Sequence, residues 1–197
     1  MSEEVTYIVS GCWRSGTSMM MNALDAGGLV PAFSEKRNVE MGERLSDEFY
    51  HPNKSGFYEL SKEEYKDISF PDKYKGKLIK CLFGGVNNLT VGNYKIVFML
   101  RDPEEIRQSY HSGLNHEMPK NVFENYYELM KKIIDQLHNR RDVNLVVFQY
   151  SEVIKDPRCF FSVLKNDYGF PINVGKAVET IDPEKYRFNI ENLVVGL

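Results

Sequence analysis

The sequence predicts an α/β fold, a P-loop-like three-layer sandwich around a central, mostly parallel sheet. Short apolar runs alternate with longer segments of helical periodicity along the chain. The run Tyr94–Leu100 (YKIVFML) is almost continuously apolar, which is typical of a strand buried on both faces of a parallel sheet. The 197 residues, of which 42% are hydrophobic and 27% charged, have the size and balance of one globular domain spanning residues 1–197.

The predicted elements follow one another in strand–helix order. The first strand, Val5–Val9, leads into a helix over about Gly16–Ala26, which Gly27-Gly28 ends. Asp102 and Pro103 open a later helix as N-cap and first-turn residue. The other predicted elements are strands at Lys77–Leu82, Tyr94–Leu100 and Asn144–Tyr150 and helices at Asn121–Arg140 and Pro157–Tyr168. Because ligands bind beyond the carboxyl ends of strands in such sheets, the residues that follow each strand are the functional candidates.

Composition excludes several classes of protein. Lys and Arg number 25 against 28 for Asp and Glu, whereas nucleic-acid binding requires an excess of cations. No apolar run approaches the ~20 residues of a membrane span, and the start MSEEVTY is acidic, unlike a signal peptide. Three scattered cysteines and four histidines give neither a disulfide framework nor metal-ligand spacing. We therefore expect a cytoplasmic protein with no nucleic-acid partner, no membrane partner and no metal.

A glycine-bounded loop, Gly11–Ser18 (GCWRSGTS), joins the first strand to the first helix. Backbone amides and the helix dipole make such a helix start favourable for an anion. A Walker A loop reads GxxxxGK[ST], but here Thr17 stands at the position of the lysine and Arg14 is the only cation. The pattern predicts a phosphate cradle that is not built for nucleoside triphosphate chemistry. The alternative is an ordinary strand-to-helix turn.

A second candidate site begins where the strand Tyr94–Leu100 ends. Arg101 follows that strand directly, and Ser109 lies eight residues further, two turns into the predicted helix. A cation at a strand end and a hydroxyl in the next helix can bind one anion together. The alternative is that Arg101 forms a salt bridge at the rim of the sheet.

Together the two segments resemble the sulfotransferases that use 3′-phosphoadenosine 5′-phosphosulfate (PAPS). In that family a strand-loop-helix of the form [KR]SGT[ST] holds the 5′-phosphosulfate, and a later strand that ends in Arg, with Ser eight residues on, holds the 3′-phosphate. The matching residues are Arg14, Ser15, Gly16, Thr17 and Ser18 for the first element and Arg101 and Ser109 for the second. The resemblance implies the family's fold and binding of PAPS without a metal.

Three further segments carry the same resemblance. Tyr150, predicted to end its strand, and the residues after it resemble the family's "YE…DP" segment, although Ser151 stands where Glu often follows. Residues 56–59 (GFYE) resemble an element of bacterial and phage-type members, and residues 181–188 (IDPEKYRF) resemble their C-terminal segment. The resemblance implies that Tyr150 also contacts the nucleotide. Because the chain lacks the C-terminal phosphate-binding segment of cytosolic members, Arg107 and Arg187 are the candidates for further cations at the 3′-phosphate.

The implied activity is transfer of a sulfuryl group from PAPS to a hydroxyl or amine of an acceptor. Arg14 would stabilise charge on the oxygen that leaves the sulfur. Lys80 resembles a lysine that tyrosylprotein sulfotransferases place beside the sulfate bridge, and Glu35, with Arg37 two residues on, resembles their catalytic base. Cytosolic members use a histidine instead, so the rival bases are His111, His116, Glu40 and Glu59.

The acceptor is not specified by these motifs. The aromatic residues of 28–75 and 110–120 suit a sugar, a phenol or a peptide tyrosine equally. Two other functions remain open: a P-loop nucleotide or small-molecule kinase, and a non-catalytic relative that binds a nucleotide but transfers nothing.

Overall fold

A single parallel sheet forms the centre of the molecule. The computed structural model describes residues 4–34, 39, 59–60, 63–64, 67, 69–114 and 119–185. Within them five strands lie in the order β2-β3-β1-β4-β5, and every pairing is parallel, which confirms the predicted fold class. The strands are β1 (Thr6–Gly11), β2 (Val30–Pro31), β3 (Lys77–Lys80), β4 (Tyr94–Leu100) and β5 (Val143–Gln149).

The helices lie in the connections between the strands and after the last strand. They are α1 (Thr17–Ala26), α2 (Phe70–Lys73), α3 (Phe83–Val86), α4 (Pro103–Leu114), α5 (Lys120–Glu124), α6 (Tyr126–His138), α7 (Tyr150–Lys155), α8 (Pro157–Asn166) and α9 (Val174–Glu179), and a 3₁₀ turn covers Pro183–Lys185. Asp102 caps α4, because its Oδ1 accepts a hydrogen bond from the Glu104 amide at 2.7 Å. Among these residues no helix combines the length and apolar character needed to cross a membrane.

Two of the differences from the predicted elements have a clear local reason. The helix predicted over Asn121–Arg140 is two helices, divided at Asn125, whose side-chain amide donates to the Asn121 carbonyl at 2.9 Å. Such a side-chain bond competes with the helix backbone. Tyr150 does not end β5 but begins α7, since the ladder with β4 stops at Gln149 and offers no partner beyond it.

The core consists of two apolar layers, one on each face of the sheet. Consecutive β1 residues point to opposite faces, so that Ile8 lies in one layer and Val9 in the other. The first layer includes Met130 and Ile133 of α6, and the second includes Leu24 of α1. Each fully buried side chain of this size contributes about 1.5–3 kcal/mol, so helices on both faces hold the strand ends in fixed positions.

The strand order places a crevice at the carboxyl end of β1. The chain runs from β1 to β2 and β3 on one side of that strand, and then crosses to β4 and β5 on the other side. Such a reversal of direction separates the two connections that leave neighbouring strands and opens a binding crevice between them. The loop Gly11–Ser18 lies at this point.

Candidate functional site

The loop after β1 has an unusual backbone. Gly11 and Gly16 have φ values of 140° and 94°, and Arg14, at 62°, is the one non-glycine residue of the described chain with a positive φ. The Ser15 amide and hydroxyl both donate to the Cys12 carbonyl, at 3.3 and 2.8 Å. Strained conformations of this kind concentrate at functional sites, because the surrounding contacts must hold them in place.

The Tyr150 ring packs directly against the loop. A β-carbon added at Gly16 would lie 2.3 Å from Cδ2 of that ring. Tyr150, the first residue of α7, therefore supports the loop that leads into α1. This contact links the segments that follow β1 and β5. Position 16 requires glycine both for its left-handed backbone and for this close approach.

We expect Gly16→Ala to lower the free energy of unfolding by more than the ~1–2 kcal/mol that a left-handed alanine costs alone, because the new methyl group must also displace the Tyr150 ring. Gly28→Ala is the matched control, since Gly28 has a φ of 110° and no atom would lie within 4 Å of its added β-carbon. Urea unfolding of both variants measures the difference. Equal losses of stability would show that the contact with Tyr150 contributes nothing.

The loops after β1 and β4 meet through their predicted phosphate-binding residues. Arg14 Nε donates to Ser109 Oγ at 3.0 Å, although the two residues are far apart in the chain. Arg101 Nη1 donates to the Arg14 carbonyl at 3.0 Å, and its guanidinium carbon lies 4.6 Å from the centre of the Tyr150 ring. The structure therefore brings Arg14, Ser109, Arg101 and Tyr150 into one cluster.

Arg101 forms a salt bridge, but it is buried and does not lie at the rim of the sheet. Its Nε lies 2.9 Å from Oε2 of Glu105, one helical turn further along. The two residues are only 8% and 5% exposed. Sequence reasoning missed Glu105, although the i, i+4 spacing signals this pair. Because a buried charge is costly without its partner, Glu105 fixes the guanidinium at the end of β4.

Lys80 brings a second cation to the loop from the end of β3. Its Nζ donates to Ser18 Oγ at 3.1 Å and lies 3.5 Å from Oε1 of Glu59. Burial lowers the pKa of Lys80, the Glu59 carboxylate opposes that effect, and the nearby Arg14 charge adds to it. A lysine of a neighbouring strand thus supplies the ammonium that Thr17 does not supply.

The predicted base is not among these residues. Glu35, Arg37, Glu40, His116 and Arg187 lie outside the described residues, and the predictions on them are untested. The rival His111 is exposed on α4, and the rival Glu59 is paired with Lys80.

Two kinds of chemistry receive no support from the described residues. Burial raises the pKa of the Cys12 thiol to about 12, so the cysteine of the loop stays protonated and is a poor nucleophile. Among the residues that the structure describes, no group of His, Cys, Asp and Glu has the arrangement of a metal site.

A cavity of about 480 Å³ adjoins Arg101 at the carboxyl ends of β4 and β5. Tyr126 of α6 forms part of its wall, and its hydroxyl accepts a hydrogen bond from the Arg101 amide at 3.4 Å. Gln149 and Ser151, on either side of Tyr150, contribute polar groups. The wall also carries charged groups, namely Arg101, Asp102, Glu105, Glu128 and Lys131. No sequence motif indicated this cavity.

Comparisons with known proteins assign the chain to no family. No protein-family model and no curated protein matches the chain. Among solved structures, the crystal structure of an unliganded sugar kinase from Janibacter sp. HTCC2649 is similar, with 14% sequence identity and a TM-score of 0.41. The match covers 82% of this chain and 95% of that chain.

Proposed function

We propose that the protein is a sulfotransferase that moves a sulfuryl group from PAPS to a hydroxyl or amine of an acceptor. The observation that carries the proposal is the contact between the two predicted phosphate-binding segments. Arg14 touches Ser109, and Arg101 touches the backbone of Arg14, so the two segments lie side by side. A nucleotide with phosphates at both the 5′ and 3′ positions needs two anion sites that are held next to each other in this way.

The loop and Lys80 would serve the 5′-phosphosulfate. In the reaction a bond forms between sulfur and the acceptor oxygen or nitrogen while the bond to the bridging oxygen breaks, and adenosine 3′,5′-bisphosphate leaves. Hydrogen-bond donors that are already aimed at the leaving oxygen lower the barrier, because negative charge develops there. The Lys80 ammonium beside the Ser18 hydroxyl, together with Thr17 and the loop amides, provides such donors.

Arg101 and Ser109 would serve the 3′-phosphate. A guanidinium makes strong, charge-assisted hydrogen bonds to phosphate, and a serine hydroxyl adds a neutral one. The cavity beside Arg101 has room for the nucleoside. In contrast with a Walker A kinase, the loop has Thr17 at the lysine position, so the proposal requires neither a γ-phosphoryl clamp nor Mg²⁺.

The proposal is tested by measuring which ligands stabilise the fold. We expect adenosine 3′,5′-bisphosphate, with a chelator present, to raise the melting temperature. The gain should be about 2.7 kcal/mol when the ligand stands at one hundred times its dissociation constant. Adenosine 5′-monophosphate, which lacks the 3′-phosphate, is the control and should stabilise much less.

The alternatives give different outcomes. Stabilisation by ATP with Mg²⁺ but not by the bisphosphate would identify a P-loop kinase. Binding of the bisphosphate without transfer of label from radioactive PAPS to sugar, phenol or tyrosine-peptide acceptors would identify a non-catalytic relative. Failure of the bisphosphate to stabilise the protein at millimolar concentration would remove the sulfotransferase proposal.

A further inference from the structure

Glu59 is held at the site by its own backbone as well as by its side chain. It forms a parallel β-bridge with Lys80, the last residue of β3, beyond the two residues of β3 that pair with β2. Its carbonyl accepts a hydrogen bond from the Ser34 amide at 3.0 Å. The side chains of Lys80 and Glu59 are 5% and 15% exposed, and Oε1 lies 3.5 Å from Nζ. The carboxylate is therefore fixed against the ammonium that contacts Ser18.

The charge of Lys80 depends on its neighbours. Removal of the ammonium from water disfavours its charged form, and the positive charge of Arg14 disfavours it further. Glu59 acts in the opposite direction. The Glu59 and Arg14 charges both act on Lys80, and the Ser18 hydroxyl accepts a hydrogen bond from its ammonium. Without the Glu59 carboxylate, burial and Arg14 would both favour the neutral amine.

We propose that Glu59 is a positioning residue, which keeps Lys80 protonated and directed at Ser18 in the phosphate loop. The inference rests on the proposed function for its purpose, the binding of an anion at this loop. The electrostatic part of the inference, in which the Glu59 carboxylate maintains the charge of the buried Lys80, does not depend on the proposed function. Glu59 thereby has a role other than that of a catalytic base.

The pH dependence has a definite sign. An opposite charge within about 4–6 Å favours the charged form of an ionisable group. Glu59→Gln should therefore lower the pKa of Lys80. The ammonium is present below the pKa and is lost as the pH rises through it, so the variant should lose its anion-binding charge at a lower pH than the wild type.

Two measurements on the full chain test the proposal. The first follows the ¹³Cε resonance of Lys80 in the lysine-labelled protein against pH, without any ligand, and assigns it by its absence in Lys80→Ala. The second measures the affinity for adenosine 3′,5′-bisphosphate over the same pH range. Between the two midpoints we expect Glu59→Gln to bind the bisphosphate about 10- to 100-fold more weakly than the wild type, which is the worth of a hydrogen bond to a charged group.

Three variants serve as controls. Glu59→Asp keeps the negative charge, so its Lys80 titration midpoint should lie close to that of the wild type. Lys80→Arg in the Glu59→Gln background carries a cation that does not titrate and should abolish the alkaline loss of binding. Asp142→Asn breaks a different partly buried ion pair, with Arg140 at 2.6 Å, and should leave the Lys80 midpoint in place.

The outcomes separate this inference from the proposed function. A lower ¹³Cε midpoint in Glu59→Gln, followed by the affinity, supports the proposal. An unchanged ¹³Cε midpoint in Glu59→Gln overturns the proposal. A lowered ¹³Cε midpoint also overturns it if the pH dependence of the bisphosphate affinity does not shift with it. If the wild type binds no bisphosphate at any pH, the proposed function fails. The ¹³Cε titration then still decides whether Glu59 maintains the charge of Lys80.

Discussion

Arg101→Ala is expected to lower the free energy of unfolding by about 3–5 kcal/mol, because it leaves the Glu105 carboxylate buried without its cation. It also removes the hydrogen bond to the Arg14 carbonyl and the contact with the Tyr150 ring. Urea unfolding measures the loss. The double variant Arg101→Ala/Glu105→Ala removes both charges and should recover much of the stability.

The same pair of variants separates folding from ligand recognition. Affinity for adenosine 3′,5′-bisphosphate should fall about 10- to 100-fold in both, since both lack the guanidinium that would bind the 3′-phosphate. Affinity for adenosine 5′-monophosphate should change much less. Isothermal titration with the two ligands gives the comparison. If the double variant lost affinity for both ligands equally, Arg101 would support the fold and would not read the 3′-phosphate.

The fold was predictable where one segment determines its own structure. The almost continuously apolar run Tyr94–Leu100 is β4, with the predicted bounds, because a strand with neighbours on both sides and helices on both faces must be apolar throughout. In contrast, β2 is only Val30–Pro31 at the edge of the sheet, and Val30 is 54% exposed. Its pairing with β3 depends on tertiary contacts, which leave no periodic pattern in two residues.

The site was predictable in its members but not in its connections. The motifs indicated Arg14, Arg101 and Ser109, and the parallel sheet explains why they meet, since the carboxyl ends of β1 and β4 lie side by side. The contact between Lys80 and Ser18 depends on β3 lying beside β1, and strand order is not written in any local pattern. The pairing of Glu59 with Lys80 requires a bridge outside the regular strands.

Glu35→Gln is expected to lower turnover by about 10²–10⁴, the usual effect of removing a positioned base, while the affinity for adenosine 3′,5′-bisphosphate stays nearly constant. Glu35 itself lies outside the described residues, but it directly follows Ser34. The Ser34 amide bonds to the Glu59 carbonyl, and Glu59 contacts Lys80 beside the phosphate loop.

The acidity of the acceptor distinguishes a base from other roles. A nitrophenol loses its proton more readily than a simple phenol or a sugar, so the defect of Glu35→Gln should shrink as the acceptor becomes more acidic. The defect of Lys80→Ala should instead shrink as the leaving group is made more acidic, because the charge of Lys80 stabilises the oxygen that departs. His111→Ala is the matched comparison. Because His111 is exposed on α4, this variant should turn over substrate at the normal rate. Normal turnover by Glu35→Gln, with an inactive His111→Ala or His116→Ala, would assign the base to a histidine and place the site closer to the cytosolic sulfotransferases.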